Sequence, residues 1–291
     1  MTTTAEPVIV TEPGVYDIPD SVYHADPVPG GSLSSSGARK LLPPYCPAIY
    51  DWERRNRRGP KKAFDFGHAA HREVLGVGPE LAVLDYDDWR TKEARQKADE
   101  ARAAGLVPIL TKDYEIVAAM AAAIRAHPDA SALFQTGRGL AEQSLFWPDE
   151  RTGIWRRARL DWNPYPSGNR LIIPDYKTTE SAHPEAIIRT VLKYGYHIQE
   201  KWYVDGIKAL GLDQGYEPAF LFVFQEKNPP YLVTVAELHP LARRVATVEI
   251  RKAIDVYREC TRTGQWPGYV DDVTLIELPE WHMRRTLGDA A

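Results

Sequence analysis

The sequence holds only two cysteines, Cys46 and Cys260, in 291 residues. A four-cysteine zinc or iron–sulfur site is therefore excluded, and two isolated thiols are expected to be buried and reduced. No stretch approaches the roughly 18 consecutive apolar residues that cross a bilayer, so no membrane span is expected. The beginning, MTTTAEPVIVTEP, lacks the basic start and apolar run of a secretory leader. A soluble globular protein of the cytoplasm is expected. Charge of one sign is also scarce: 36 Lys and Arg stand against 40 Asp and Glu, a net −4. That balance argues against indiscriminate coating of nucleic acid, which depends on neutralising phosphates. Local basic runs exist at Arg54, Arg55, Arg57, Arg58, Lys61 and Lys62, and at Arg156, Arg157 and Arg159; each alone reads as solvated surface.

What is present is enough apolar residue for a real core, 44% of the chain. Residues 1–30 are rich in Pro, Gly, Ser and Thr and read as a partly irregular arm, with GVYDIPDSVYH the one stretch patterned as a strand or docked segment. Short helices are expected over Ser34–Leu42, ended by Pro43-Pro44, and over Cys46–Trp52. Phe66, Ala70, Val74 and Leu75 mark one face of a helix over 64–75. Residues 87–104 read as an exposed helix or loop, and 112–127 as a helix that Pro128 closes. The period then turns to two. Strands are expected over 141–147, 154–162 and 171–177, the last two joined by the turn-rich Asn163–Asn169 as a hairpin. Helices over 184–193 and 199–210, a doubly buried strand over 219–225, its partner over 231–237, a helix over 241–262 and an irregular tail complete the chain. The order implies an α/β fold. A central mixed β-sheet is flanked by helices, with an N-terminal helical subregion at 31–130, an α/β core at 131–265 and a tail at 266–291.

Side chains alternate along 171–177, so Asp175 and Lys177 share a face while Tyr176 points away. Asp161 ends the preceding strand and can lie beside Asp175. Adjacent carboxylates repel unless a cation sits between them, and such oxygen ligands suit Mg²⁺, with Mn²⁺ as a substitute. A bound metal would polarise a phosphate oxygen and help deprotonate the attacking water, with Lys177 orienting that water or stabilising charge on the phosphorane. Downstream, Gln199 and Tyr203 stand four apart on one helix face; upstream lies Gly67-His68-Ala69-Ala70-His71. The aromatic run Phe220–Phe224 is too continuous to face solvent and reads as core.

Asp161 followed by Pro174-Asp175-Tyr176-Lys177 on an apolar strand resembles the PD-(D/E)XK nuclease signature. Gly67–His71 is similar to the Gly-x-x-x-His element of its RecB-like branch, whose iron–sulfur relatives need four cysteines. With Leu33-Ser34-Ser35-Ser36-Gly37 and Cys46-Pro47-Ala48, the chain most resembles the RecE-like, or exonuclease VIII-like, phage exonucleases, relatives of lambda exonuclease. The resemblance implies a restriction-endonuclease-like core. It implies metal ligation by Asp161, Asp175, Tyr176, His71 and Glu142, catalysis by Asp161, Asp175, Lys177 and Glu142, and DNA contact or site bracing by Gln199 and Tyr203. It further implies 5′-to-3′ degradation of one strand from double-stranded DNA ends in phage recombination within a bacterial host cell. The product would pass to a single-strand annealing protein, and the enzyme would form a homo-oligomeric ring. An endonuclease on branched or single-stranded DNA, and a catalytically inactive DNA-binding recombination protein, are the alternatives.

Overall fold

The computed structural model describes residues 8–56, 62–135, 137–165 and 170–288, and the side chains of all of these but 62–65. In chain order the first half contains β1 (Gly14–Tyr16), α1 (Asp20–Ala25), β2 (Leu33–Ser34), α2 (Ser35–Lys40), α3 (Pro47–Arg55) and α4 (Lys62–Leu75). It continues with β3 (Leu81–Leu84), α5 (Lys92–Ala103), β4 (Val107–Leu110), α6 (Thr111–Ala126) and α7 (Pro128–Leu133). The second half runs β5 (Gly139–Pro148), β6 (Trp155–Pro164), β7 (Ile172–Thr179), α8 (Pro184–Tyr194), α9 (Tyr196–Ala209), β8 (Ala219–Glu226), β9 (Val233–Ala236), α10 (Pro240–Thr263) and α11 (Glu280–Leu287).

The strands form three sheets rather than one, ordered β1-β5-β6-β2, β3-β4 and β7-β8-β9. The arm therefore contributes directly to the α/β half, β1 pairing antiparallel with β5 and β2 parallel with the start of β6. The hairpin expected between the strands now labelled β6 and β7 is corrected. β6 takes β5 as its long antiparallel partner, and β7 pairs parallel with β8. β6 and β7 still run side by side, and where they meet the Asp161 carboxylate, not a carbonyl, accepts the Tyr176 N–H at 2.8 Å. The parallel pair β3-β4 was not foreseen, because four-residue strands show no usable period. The tail, expected to be irregular, carries the exposed helix α11.

Helix starts follow a repeated local rule. Pro128, Pro184 and Pro240 each occupy the first turn of a helix, where a missing N–H costs nothing. The preceding His127, His183 and His239 accept through Nδ1 from Asp129, Glu185 and Leu241 N–H at 3.2, 3.3 and 3.2 Å. Pro128 thus opens a helix as well as closing one.

The β7-β8-β9 sheet is buried on both faces. Phe220, Phe222 and Phe224 of β8 pack under α8, α9 and α10, while Val223 and Tyr176 pack on the other side against the cluster that holds α4 and α6. Burial of the aromatic run is as its continuity demands. Between α8 and α9, Gly195 sits at φ 69°, and a Cβ there would collide with the Arg39 side chain that crosses the turn to the Lys193 carbonyl. Gly195→Ala is expected to cost about 2 kcal/mol from the left-handed backbone and the displaced arginine. Urea unfolding measures it; a loss below about 0.5 kcal/mol contradicts this reading of the turn.

Candidate active site

The β7–β8 register pairs Asp175 with Phe222, Lys177 with Phe224 and Tyr176 with Val223. Asp175 and Lys177 therefore share the α9 side of the sheet, and Tyr176 points to the other side. Lys177 Nζ contacts Asp175 Oδ2 and lies 5.2 Å from the centroid of the Tyr196 ring. Gln199 Nε2 donates to Asp175 Oδ1 at 2.7 Å. Tyr196, Gln199 and Tyr203 follow helical spacing on α9, so one helix face runs along the site. Asp161 Oδ2, held by Tyr176 N–H, also lies 3.9 Å from His71 Nδ1 on α4.

Glu142 stands opposite Asp161 in the β5–β6 register, at the one rung the ladder skips. Its φ is 57°, a left-handed conformation that costs a non-glycine residue on the order of 1–2 kcal/mol. Arg159 compensates, its Nε donating to Glu142 Oε2 at 2.6 Å while Nη1 donates to Ile18 O and Ser144 Oγ. His71, Glu142, Arg159, Asp161, Gln199 and Tyr203 line a cleft of about 330 Å³.

Burial dominates the electrostatics. It pushes Asp175 up to about 7 and Asp161 to about 6 from the 3.8 of an exposed aspartate, against the pull of Lys177 on both. Burial alone would lower Lys177, but Asp175 and Asp161 outweigh it and its ammonium is held above its ordinary range. His71 falls to about 4, through burial and the nearby lysine, and is neutral at pH 7. Carboxylate oxygens, which suit a hard cation, dominate the donor set, with a neutral imidazole beside them. Asp175 Oδ2 is moreover buried with no hydrogen-bond donor aligned on it, although Lys177 makes the ion pair. Among the described residues no three His, Cys, Asp or Glu side chains already converge as a cage. The residues fit an ion that keeps much of its water, as Mg²⁺ does, better than one needing an all-protein shell.

Of the residues singled out from sequence, Asp161, Asp175, Lys177, His71, Glu142 and Gln199 are brought together. Tyr203 lines the cleft but is 8% exposed and packs on Phe220 at 6.1 Å between centroids, a bracing position. The Tyr176 side chain is not a ligand. Its hydroxyl donates to Gln225 Oε1 at 2.6 Å, and Gln225 Nε2 donates to Met120 O at 2.8 Å, across the sheet from the carboxylates. The Tyr176 main chain holds Asp161, and its ring packs edge-on against the His71 imidazole at 5.2 Å between centroids.

Of the basic runs, the second differs from expectation, whereas in the first Arg54 and Arg55 are exposed as expected. Arg54 and Arg55 pair with Asp51. Arg57, Arg58 and Lys61, with the Lys62 side chain, lie outside the described residues. Arg156 is buried 4.0 Å from Trp202 and 4.9 Å from Trp147, paired with Asp205. Arg157 reaches the cleft, bound to Asp26 and Ser32. Alternation along β6 explains this split, and could have been read in the sequence. Tyr196 and the strained Glu142 backbone carried no sequence signal.

Residues 34–279 match the family described as a PDDEXK-like domain of unknown function (DUF3799). A crystal structure from Eubacterium rectale, of a protein carrying a provisional exonuclease assignment, superposes with a TM-score of 0.57 at 14% identity, over 88% of this chain and 93% of that one. The likeness shows a shared fold, the restriction-endonuclease-like α/β arrangement. No curated protein matches.

Proposed function

The chain belongs to the PDDEXK-like family and so to the PD-(D/E)XK nuclease superfamily, and from that premise we propose that it is a divalent-metal-dependent deoxyribonuclease that degrades duplex DNA from its ends. The observation that carries this reading is the pairing of two buried, raised carboxylates, Asp161 and Asp175, with the ammonium of Lys177. Asp161 and Asp175 would hold Mg²⁺, with Glu142 and His71 on its flank. The bound ion would supply Lewis acidity toward a phosphate oxygen and a more acidic water. Lys177 keeps a fixed positive charge where negative charge grows on the attacked phosphate. Gln199 holds Asp175 in orientation, and the Tyr176 N–H holds Asp161. The expected product end is a 5′-phosphate.

The provisional exonuclease assignment of the Eubacterium rectale protein and the RecE-like sequence pattern support end-directed, 5′-to-3′ action. A phage-type recombination role with an annealing partner and a ring-shaped assembly belongs to the same reading. In favour of self-association, the chain beyond Pro267 exposes Val273, Leu275, Ile276 and Trp281. Light scattering that showed a monomer would remove the ring. The activity is tested with linear duplex labelled at either end, beside covalently closed circles, in Mg²⁺. Release of the 5′ label with intact circles supports the proposal; nicked circles favour the endonuclease alternative.

A pH dependence follows. Both aspartates must lose protons to hold a cation, so Mg²⁺ affinity falls as pH drops through about 7 and 6. The rise in melting temperature on adding Mg²⁺ should be clear at pH 8 and nearly gone at pH 5.5, as thermal scans would show. An equal rise at both pH values would place the ion elsewhere.

A further inference from the structure

Beside Lys177 an aromatic ladder runs from the core to solvent. Phe224 and Phe222 lie 5.7 Å apart at 27°, Phe222 and Tyr196 5.6 Å at 25°, and Tyr196 and Tyr194 5.6 Å at 23°. The inner rings are covered, whereas Tyr194 is 51% exposed. Two cations attend the outer rings: Lys177 Nζ is 5.2 Å from the Tyr196 centroid and Lys193 Nζ 5.2 Å from that of Tyr194. The turn that presents Tyr194 is held by Arg39, whose guanidinium binds the Lys193 carbonyl across Gly195 and also lies 4.9 Å over Tyr45. The outer face of α8 continues the same chemistry, with Ile188 and Leu192 exposed at 62% and 66% and Arg189 exposed between them.

An exposed ring stacked on a rigid support, with cations close by, is the arrangement that holds bases of a DNA strand: stacking tolerates any base, and the cations follow the phosphates. We propose that Tyr194 is a stacking site for a nucleobase of the DNA strand whose phosphate lies at Lys177, with Lys193 and Arg189 meeting flanking phosphates. The lysine now over the outer face of Tyr194 is on a flexible stem and moves aside to the backbone when a base takes that place. Tyr196 transmits position: it fixes the Tyr194 plane and borders the catalytic ammonium. Tyr194 thus sets where along the strand the scissile phosphate falls. The proposal rests on the nuclease reading and extends it to a surface outside the cleft of the carboxylates.

The test uses the full chain and a linear duplex in which one strand bears a 5′-phosphate and a fluorescein label. Its affinity is read by anisotropy with Ca²⁺ in place of Mg²⁺, and its cleavage with Mg²⁺. Tyr194→Ala should weaken binding roughly 5- to 100-fold and raise KM with kcat nearly unchanged, and Tyr194→Phe should restore both. Scanning one abasic position along the strand should reveal a position that weakens the parent protein but adds nothing in Tyr194→Ala, a coupling that a merely structural tyrosine would not show. Unchanged affinity in Tyr194→Ala, with the parent still cleaving, overturns the stacking site and leaves the nuclease reading standing. A parent protein that neither binds nor cleaves overturns both. A fall in assembly mass in Tyr194→Ala, without a change in affinity, assigns the ring to a protein interface and also overturns the proposal.

Discussion

Asp175→Asn should abolish metal-dependent cleavage, lowering the rate by about 10³-fold or more, while leaving the metal-free protein no less stable at pH 8. The two effects have one cause. Asp175 is 1% exposed, and burial holds its carboxyl near 7, above its unfolded value of 3.8. A carboxyl raised in this sense stabilises the fold below its unfolded value, and that contribution is lost as pH rises through the folded one. At pH 8 the ionised group is therefore a net burden on the metal-free fold, which a cation would relieve. Asparagine keeps the oxygen that accepts from Gln199 and removes the charge, and Asp161 remains as a counter-charge for the Lys177 ammonium. Cleavage in Mg²⁺ and urea unfolding in chelator, at pH 5.5 and 8, check both halves. A variant that still cuts, or that unfolds more easily at pH 8 than the parent, contradicts this account of Asp175.

Lys177→Met should lower cleavage by roughly 10²- to 10³-fold and, unlike Asp175→Asn, destabilise the fold at neutral and higher pH. Methionine retains the length of the stem against Tyr196 but leaves the Asp175 carboxylate without its cation. Removing one partner of a buried pair costs about 3–5 kcal/mol. The cost should shrink at pH 5.5, because an Asp175 carboxyl without its lysine rises further and folds protonated. Combining Lys177→Met with Asp175→Asn should recover the stability at pH 8 and none of the activity. Additive losses in the double variant would mean that the two side chains are not coupled as their contact implies.

The part of the site that a strand's alternation dictates was legible in the sequence. A strand over 171–177 must separate Asp175 and Lys177 from Tyr176, and the apolar run 219–225 must be sheathed on both faces; the β7–β8 register has both properties. Helix starts at proline were legible as well, although Pro128 serves as an end and a beginning at once. What was not legible depends on partners distant along the chain. The choice of β5 over β7 as the partner of β6 is made by the packed sheet, and the turn residues between β6 and β7 promise a hairpin that the ladder does not form. Arg156, Arg157 and Arg159 look alike in sequence; two buried tryptophans and Asp205 claim the first, Asp26 the second and Glu142 the third. The left-handed backbone at Glu142 is a local cost met by contacts from β6, so no local propensity could announce it.

The central claim is that Asp161, Asp175 and Lys177 form a metal-dependent phosphodiester-hydrolysing centre. Its most direct test is the release of acid-soluble nucleotide from linear duplex DNA by the purified full chain, with Mg²⁺ or Mn²⁺ and with excess chelator. Release with metal and none with chelator is the predicted result; no release with either metal, or equal release in chelator, would contradict it.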